Sequence, residues 1–207
     1  KAQSNGFIAN RILHCKQERL KSNREATKKL AKIPWKFGFI SHKDTLSIIV
    51  PRVSSERRQY IPMGLLDQDT IISDAALAVY DAKPWLFALL QSSIHMAWIR
   101  TVCGKMKSDY RYSASLGYNT FPVSPLNSIQ KEKLNDSAMN ILMARENHTE
   151  MTLAQMYDPD KMPEDLRNAH KANDLLVDKL YQDKAFLNDE ERLAKLFAMY
   201  EELTKDK

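Results

Sequence analysis

A chain of 207 residues with 43% hydrophobic content can bury the core of one large domain or two small ones, which excludes wholesale disorder. Its two cysteines, Cys15 and Cys103, sit in no CxxC or Cys/His cluster, and no apolar run reaches membrane-spanning length, so a disulfide framework, a zinc site and a membrane partner are not signalled. The formal charge of +5 hides an asymmetry: residues 1–122 hold 19 Lys and Arg against 9 Asp and Glu, a net of +10, and residues 123–207 hold 12 against 17, a net of −5.

The charge split suggests that the first part faces a polyanion and the second does not, although a basic surface that serves only solubility gives the same count. The start "KAQSNGFIAN" has none of the regions of a signal peptide. The reduced thiols suit the cytoplasm, and a first residue other than Met suggests a fragment.

In chain order, "RILHCKQERLKSNREATKKLAK" (residues 11–32) reads as an exposed helix, or one broken near Ser22, because it is charged nearly throughout. From Trp35 the pattern changes to short β-like runs, "WKFGFI", "TLSIIVPRV", "QYIPMGLL" and "TIISDAALAVYD", separated by Asp, Ser, Pro and Gly; they predict a small mixed sheet. Pro84 opens an apolar segment with Leu86, Leu89, Leu90, Ile94, Trp98 and Val102 at helical spacing and Gly104 where a C-terminal cap belongs. One buried helix is expected over 84–102, with Trp85 and Trp98 in the core and His95 as a core histidine rather than a catalyst.

Past Pro122 the signals are all helical. One helix starts at Asn127 or Ser128 with Ile129, Leu134, Met139, Leu142 and Met143 as apolar positions; a short one ends at Pro159, a third runs over 163–181, and "NDEERLAKLFAMYEEL" makes a fourth with acids in its first turn. The fold class expected is therefore α+β: a small mixed sheet with a buried helix over 1–122, followed by an all-helical lobe over 123–207.

The segment after Gly104, "KMKSDYRYS", carries the most specific chemistry. Read as a strand, it places Met106, Ser108, Tyr110 and Tyr112 on one face and Lys107, Asp109, Arg111 and Ser113 on the other. In a major groove a lysine donates to guanine O6 and N7 while an acid accepts from the cytosine N4 amine, so Lys107, Asp109 and Arg111 are candidate base readers. An acid in a basic, DNA-facing strip repels phosphate, and its presence is explained if it accepts from a base. A solvated edge whose charges pair among themselves fits the same pattern. Arg52, Ser54, Ser55, Arg57 and Arg58 in "PRVSSERRQY" are candidate phosphate contacts, with Lys105 and Ser113 flanking the strip.

These segments also carry a resemblance. "HMAWIRTVCGKMKSDYRYSASLGYNTFP", preceded by "SSERRQYIPMGLL" and followed by "YDPDKMPEDLRNAHKANDLLVDKLY" and "DEERLAKLFAMYEEL", resembles the C-terminal portion of the MmeI-like DNA methyltransferases, many of them fused type II restriction and modification enzymes. The resemblance covers most of the chain from about Pro51 onward. It implies a target recognition domain followed by a small helical domain, and Lys107 and Asp109 at positions that read one base pair, with Arg111 in the same strip. It also implies double-stranded DNA as partner, and a parent polypeptide whose N-terminal methyltransferase domain modifies adenine N6 with S-adenosylmethionine.

The chain lacks the Gly-rich FxGxG cofactor loop, the (D/N/S)PP(Y/F/W) motif and a PD-(D/E)xK pattern, so no catalytic residue, cofactor site or metal site is expected within it. "YDPDKMPED" clusters acids as a metal loop does, but Pro159 and Pro163 bracket a helix break there, which reads as a turn rather than a metal site. The rival reading is a protein-interaction module in which the acidic lobe docks to a partner and the basic half is incidental.

Overall fold

The computed structural model describes residues 5–205 and divides into two compact units, residues 1–42 and 43–207. In the first unit, helix α1 (Gly6–Leu20) is capped by the Asn5 side chain, which accepts from the Phe7 and Ile8 amides. A break at Ser22 precedes α2 (Glu25–Lys29), which tightens into a 3-10 turn over Leu30–Lys32. α1 buries none of its residues, as its sparse apolar content predicts. The fold of this unit is fixed by Arg19, whose guanidinium donates to the carbonyls of Leu30 (2.9 Å), Ile33 (3.0 Å) and Lys36 (2.8 Å).

The second unit begins with β1 (Ser47–Pro51), which continues past Arg52 into β2 (Val53–Ser54) and so passes from one sheet to another. The first sheet has the order β3-β1-β4, with β3 at Gly64–Leu66 and β4 at Ala76–Tyr80; the second has the order β2-β6-β5, with β5 at Lys105–Met106 and β6 at Asp109–Arg111. Every pairing is antiparallel, so the expected sheet is realised as two small antiparallel ones. Ile48 and Val50 of β1 are fully buried in the core.

The helix expected over 84–102 is two helices, α3 (Pro84–Leu90) and α4 (Ser93–Val102). The break has a local cause: Ser92 adopts an extended conformation and its hydroxyl accepts from the His95 amide, the geometry of an N-cap. Pro84 stands at the start of α3, where its missing N–H costs nothing. Trp98 is buried and its ring meets Phe197 and Tyr200 at 5.1 and 5.9 Å, whereas Trp85 is only half-buried under the Lys131 ammonium.

The remaining helices are α5 (Ser128–Glu146), α6 (Leu153–Met156), α7 (Glu164–Asp178) and α8 (Asp189–Thr204). α5 opens on a capping box between Asn127 and Gln130. Its buried face is Leu134, Ser137, Ala138, Ile141, Ala144 and Arg145, while Ile129, Met139 and Met143 are exposed. The small residues let α5 lie close against α3 and α7, its main packing partners. The sheets, α3, α4 and the four later helices thus share one core.

A polar network runs through that core. Arg145 Nη1 donates to the Met63 carbonyl (2.8 Å), Nη2 to Gln91 Oε1 (3.0 Å), and Nε to the Tyr157 hydroxyl (3.0 Å). That hydroxyl also meets His170 Nε2 at 2.7 Å, and the His170 ring stacks on Tyr60. The Tyr60 hydroxyl donates to Asp174, whose carboxylate also receives the Ser93 amide and hydroxyl. Among the described residues no helix is long and apolar enough to cross a membrane, and no group of three or more His, Cys, Asp or Glu is placed to hold a metal.

Candidate nucleic-acid interface

β5 and β6 form a hairpin closed by Lys107 and Ser108, with Met106 opposite Asp109 and Lys105 opposite Tyr110. On its other edge β6 pairs with β2, Val53 opposite Arg111 and Ser54 opposite Tyr110, and the Tyr112 amide extends the ladder to the Arg52 carbonyl at 2.9 Å. Two segments about fifty residues apart in the chain, "PRVSS" and "KMKSDYR", are thereby brought into one three-stranded sheet.

Along β6 the alternation follows the sequence expectation. Tyr110 and Tyr112 are buried, Arg111 is exposed and Asp109 half-buried. Tyr112 anchors the sheet to α4 through its hydroxyl, 3.1 Å from His95 Nε2, and burial pushes its phenol well above the ordinary range. The following turn, Ala114–Tyr118, lies directly on α4. A Cβ at Gly117 would come within 2.6 Å of the Ile99 Cδ1 and 2.8 Å of the Cys103 sulfur, so a larger residue there would force both side chains to move.

The expectation of one continuous strand through Lys107 is corrected. Lys107 sits at the tip of the turn with φ of +58°, and so does not share a strand face with Asp109. Positive φ at the first central position of a two-residue turn is where glycine ordinarily belongs, and its absence hid the hairpin from the sequence. A lysine held in this region costs about 1–2 kcal/mol, and such strain concentrates at functional positions. The hairpin therefore presents Lys105, Met106, Lys107 and Ser108 to solvent at one end of the sheet, with Asp109 and Arg111 beside them. Met106, 52% exposed, is an apolar tip residue that the reading of charges alone overlooks.

Asp109 is oriented rather than free: its Oδ1 accepts from the Glu56 amide at 3.4 Å. Lys105 extends over the Tyr110 ring at 5.4 Å.

The phosphate candidates divide. Arg52 is exposed and its Nε donates to the Asp74 carbonyl at 2.7 Å. Ser55 shapes the turn that follows β2, its carbonyl accepting from the Arg58 amide at 3.1 Å. Arg57 pairs with Asp160 at 2.6 Å, and Arg58 Nη2 donates to the Ala154 carbonyl at 3.4 Å. Ser54 and Ser113 do not match the sequence expectation. Ser54 is 3% exposed, beneath the sheet surface, and the Ser113 hydroxyl caps the 114–118 turn by accepting from the Leu116 amide. Asp74, Ala154 and Asp160, the partners of these arginines, lie 22, 96 and 103 residues away in the chain, and no local pattern could have found them.

Residues 1–125 match the family described as "MmeI, target recognition domain" and residues 126–207 that described as "MmeI, C-terminal domain". DNA methyltransferase A of Bacillus subtilis (strain 168) is 44% identical over 205 residues, which are 99% of this chain and 23% of that protein. The solved structure of the type IIL restriction-modification enzyme MmeI in complex with DNA superimposes with a TM-score of 0.91 at 40% identity, over 98% of this chain and 27% of that one. This chain therefore spans about a quarter of the length of either relative (23% and 27%). Matched along its whole length by the recognition and C-terminal domains, the chain belongs to the MmeI family.

Proposed function

We propose that this chain is the sequence-recognition module of an S-adenosylmethionine-dependent adenine-N6 DNA methyltransferase of a type II restriction-modification system, acting on double-stranded DNA in the cytoplasm. The observation that carries the reading is the strained, exposed hairpin tip: Lys107 with an oriented acid, Asp109, beside it and Arg111 exposed on the same strand as Asp109. A turn that retains lysine where glycine relieves strain is accounted for by a use of the side chain. Lys107 and Asp109 read one G·C pair, with Arg111 contributing from the same strand as Asp109. Arg52, Ser55, Arg57, Arg58 and Lys105 contact phosphates and fix the register.

The residues present do not fit the cofactor. The five glycines, at 6, 38, 64, 104 and 117, are scattered, and none adopts positive φ, so no glycine-rich cradle leads into a helix N-terminus. Cofactor binding and methyl transfer are assigned to a methyltransferase domain of the parent polypeptide, this chain's intramolecular partner.

The test is a charge-reversed pair. Lys107→Glu with Asp109→Arg exchanges donor and acceptor and is expected to favour the inverted base pair at one target position, each contact discriminating by about 1–3 kcal/mol. Sequencing of methylated genomic DNA from cells carrying the double variant reads the outcome; a target identical to that of the unaltered protein refutes the assignment. A companion variant separates reading from folding. Lys107→Gly relieves the left-handed cost of about 1–2 kcal/mol, against about 0.5–1 kcal/mol of added unfolded-state freedom. Its thermal midpoint is therefore expected to be no lower, while affinity for the target duplex falls; a lower midpoint would show that the lysine is there for stability.

A further inference from the structure

The acidic loop "YDPDKMP" of the C-terminal domain holds no metal cluster among the described residues, yet it is rigidly built. The Asp158 carboxylate accepts from the Asp160 amide at 3.0 Å, its carbonyl accepts from the Lys161 and Met162 amides, and Arg167 donates to the Pro159 carbonyl at 3.3 Å. Tyr157 and Met162 anchor the two ends in the core. The loop aims one carboxylate outward: Asp160 Oδ2 lies 2.6 Å from Arg57 Nη2, with the two side chains 70% and 61% exposed. Asp158 adds to the negative potential at the same guanidinium.

We propose that Asp160 takes, in the free protein, the place that a DNA phosphate takes at Arg57 in the complex, so that duplex binding proceeds by exchange of Arg57 from carboxylate to phosphate. The inference rests on the reading of Arg57 as a phosphate contact. A guanidinium fork fits a carboxylate and a phosphate alike. The carboxylate is on a fixed loop and the arginine on a long flexible stem, so it is the arginine that moves. A pair this exposed is held only weakly and is readily surrendered to a polyanion. Because the exchange involves no base, it weakens binding to every duplex by the same factor. Asp160 therefore limits how long the module rests on DNA that lacks its target, and leaves the preference among sequences untouched.

The experiment is a double-mutant cycle on duplex affinity, measured with the full-length protein on target and non-target DNA across a salt series. Asp160→Asn is expected to tighten binding to both duplexes about two- to fivefold, with the salt slope unchanged because the same phosphates are contacted. Arg57→Ala is expected to weaken both and to flatten the slope by about one unit. In the Arg57→Ala background, Asp160→Asn should change affinity less than about twofold, since Asp160 acts through Arg57. An equal gain in both backgrounds means that Asp160 repels DNA at long range, and overturns the exchange. Weaker binding by Asp160→Asn alone means that the carboxylate positions Arg57 for DNA, and also overturns it. Arg57→Ala behaving as wild type would instead remove the phosphate contact itself.

Discussion

Arg145→Ala is expected to destabilise the unit formed by residues 43–207 by about 3–5 kcal/mol, read as a fall in the urea midpoint. Arg145 is 7% exposed, and among the described residues no carboxylate pairs with it; its charge is met by the Met63 carbonyl, the Gln91 amide oxygen, the Tyr157 hydroxyl, and the faces of Phe87 and Tyr157. Truncation removes the charged donor from three buried acceptors, of which Gln91 Oε1 keeps a 3.3 Å contact from the Tyr157 hydroxyl and that hydroxyl its contact with His170; each hydrogen bond to a charged group is worth about 1.5–3 kcal/mol, and a cavity opens besides. Total stabilities run at about 5–15 kcal/mol, so the variant is expected to sit at the edge of folding. Arg145→Lys supplies a single point donor in place of a planar fork and is expected to recover only part of the loss. A cost below about 1 kcal/mol for Arg145→Ala would show that water replaces the guanidinium and that the network does not hold the core together.

Acid is expected to unfold the same unit from within. His95 and His170 are buried and their pKa values are lowered to about 3, chiefly by burial, with the Arg145 charge adding to the effect at His170. Both are neutral in the folded chain, while the unfolded chain takes up a proton at each near pH 6.5. Stability is therefore complete above about pH 6.5 and is lost as the pH falls toward 3, because the unfolded state binds more protons throughout that window. At pH 5 the loss is about 2 kcal/mol for each histidine. Asp174 acts with opposite sign: burial raises its pKa, so its cost is relieved as acid protonates it. His95→Gln should remove about half of the pH dependence between 7.5 and 5. An independent check is the ring resonances: those of His95 and His170 should stay fixed over this range. Titration of either buried ring near pH 6 would refute the prediction.

Much of the chain's architecture is written in local signals. The break at Ser22, the Asn127 cap, the acids opening α8 and the proline at the start of α3 each answer to a single turn of backbone. Where partners are distant the sequence misleads. On α5 the expected apolar position Leu134 is buried, but Ile129, Met139 and Met143 are exposed, and the rest of the buried face is Ile141 with serine, alanines and an arginine. The value of those residues lies in their fit to α3 and α7, and to acceptors more than fifty residues away. At the candidate interface the sequence supplies the residue types at 105, 107, 109 and 111 on which the proposal rests. It does not supply their arrangement, because Lys107 at positive φ gives no glycine to mark the turn.

The buried network has a consequence for making hybrid proteins. Met63, Gln91 and Ser93 lie before Pro122, and Arg145, Tyr157, His170 and Asp174 lie after it, yet they complete one another's hydrogen bonds. A chimera spliced at Pro122 from two parents inherits half of a lock from each, and works only if the halves were cut to the same key. Transplanting the hairpin residues 105–111 leaves that lock untouched, because their side chains lie outside it. On the proposed reading of the tip, new specificities are better sought by exchanging it than by exchanging the lobes.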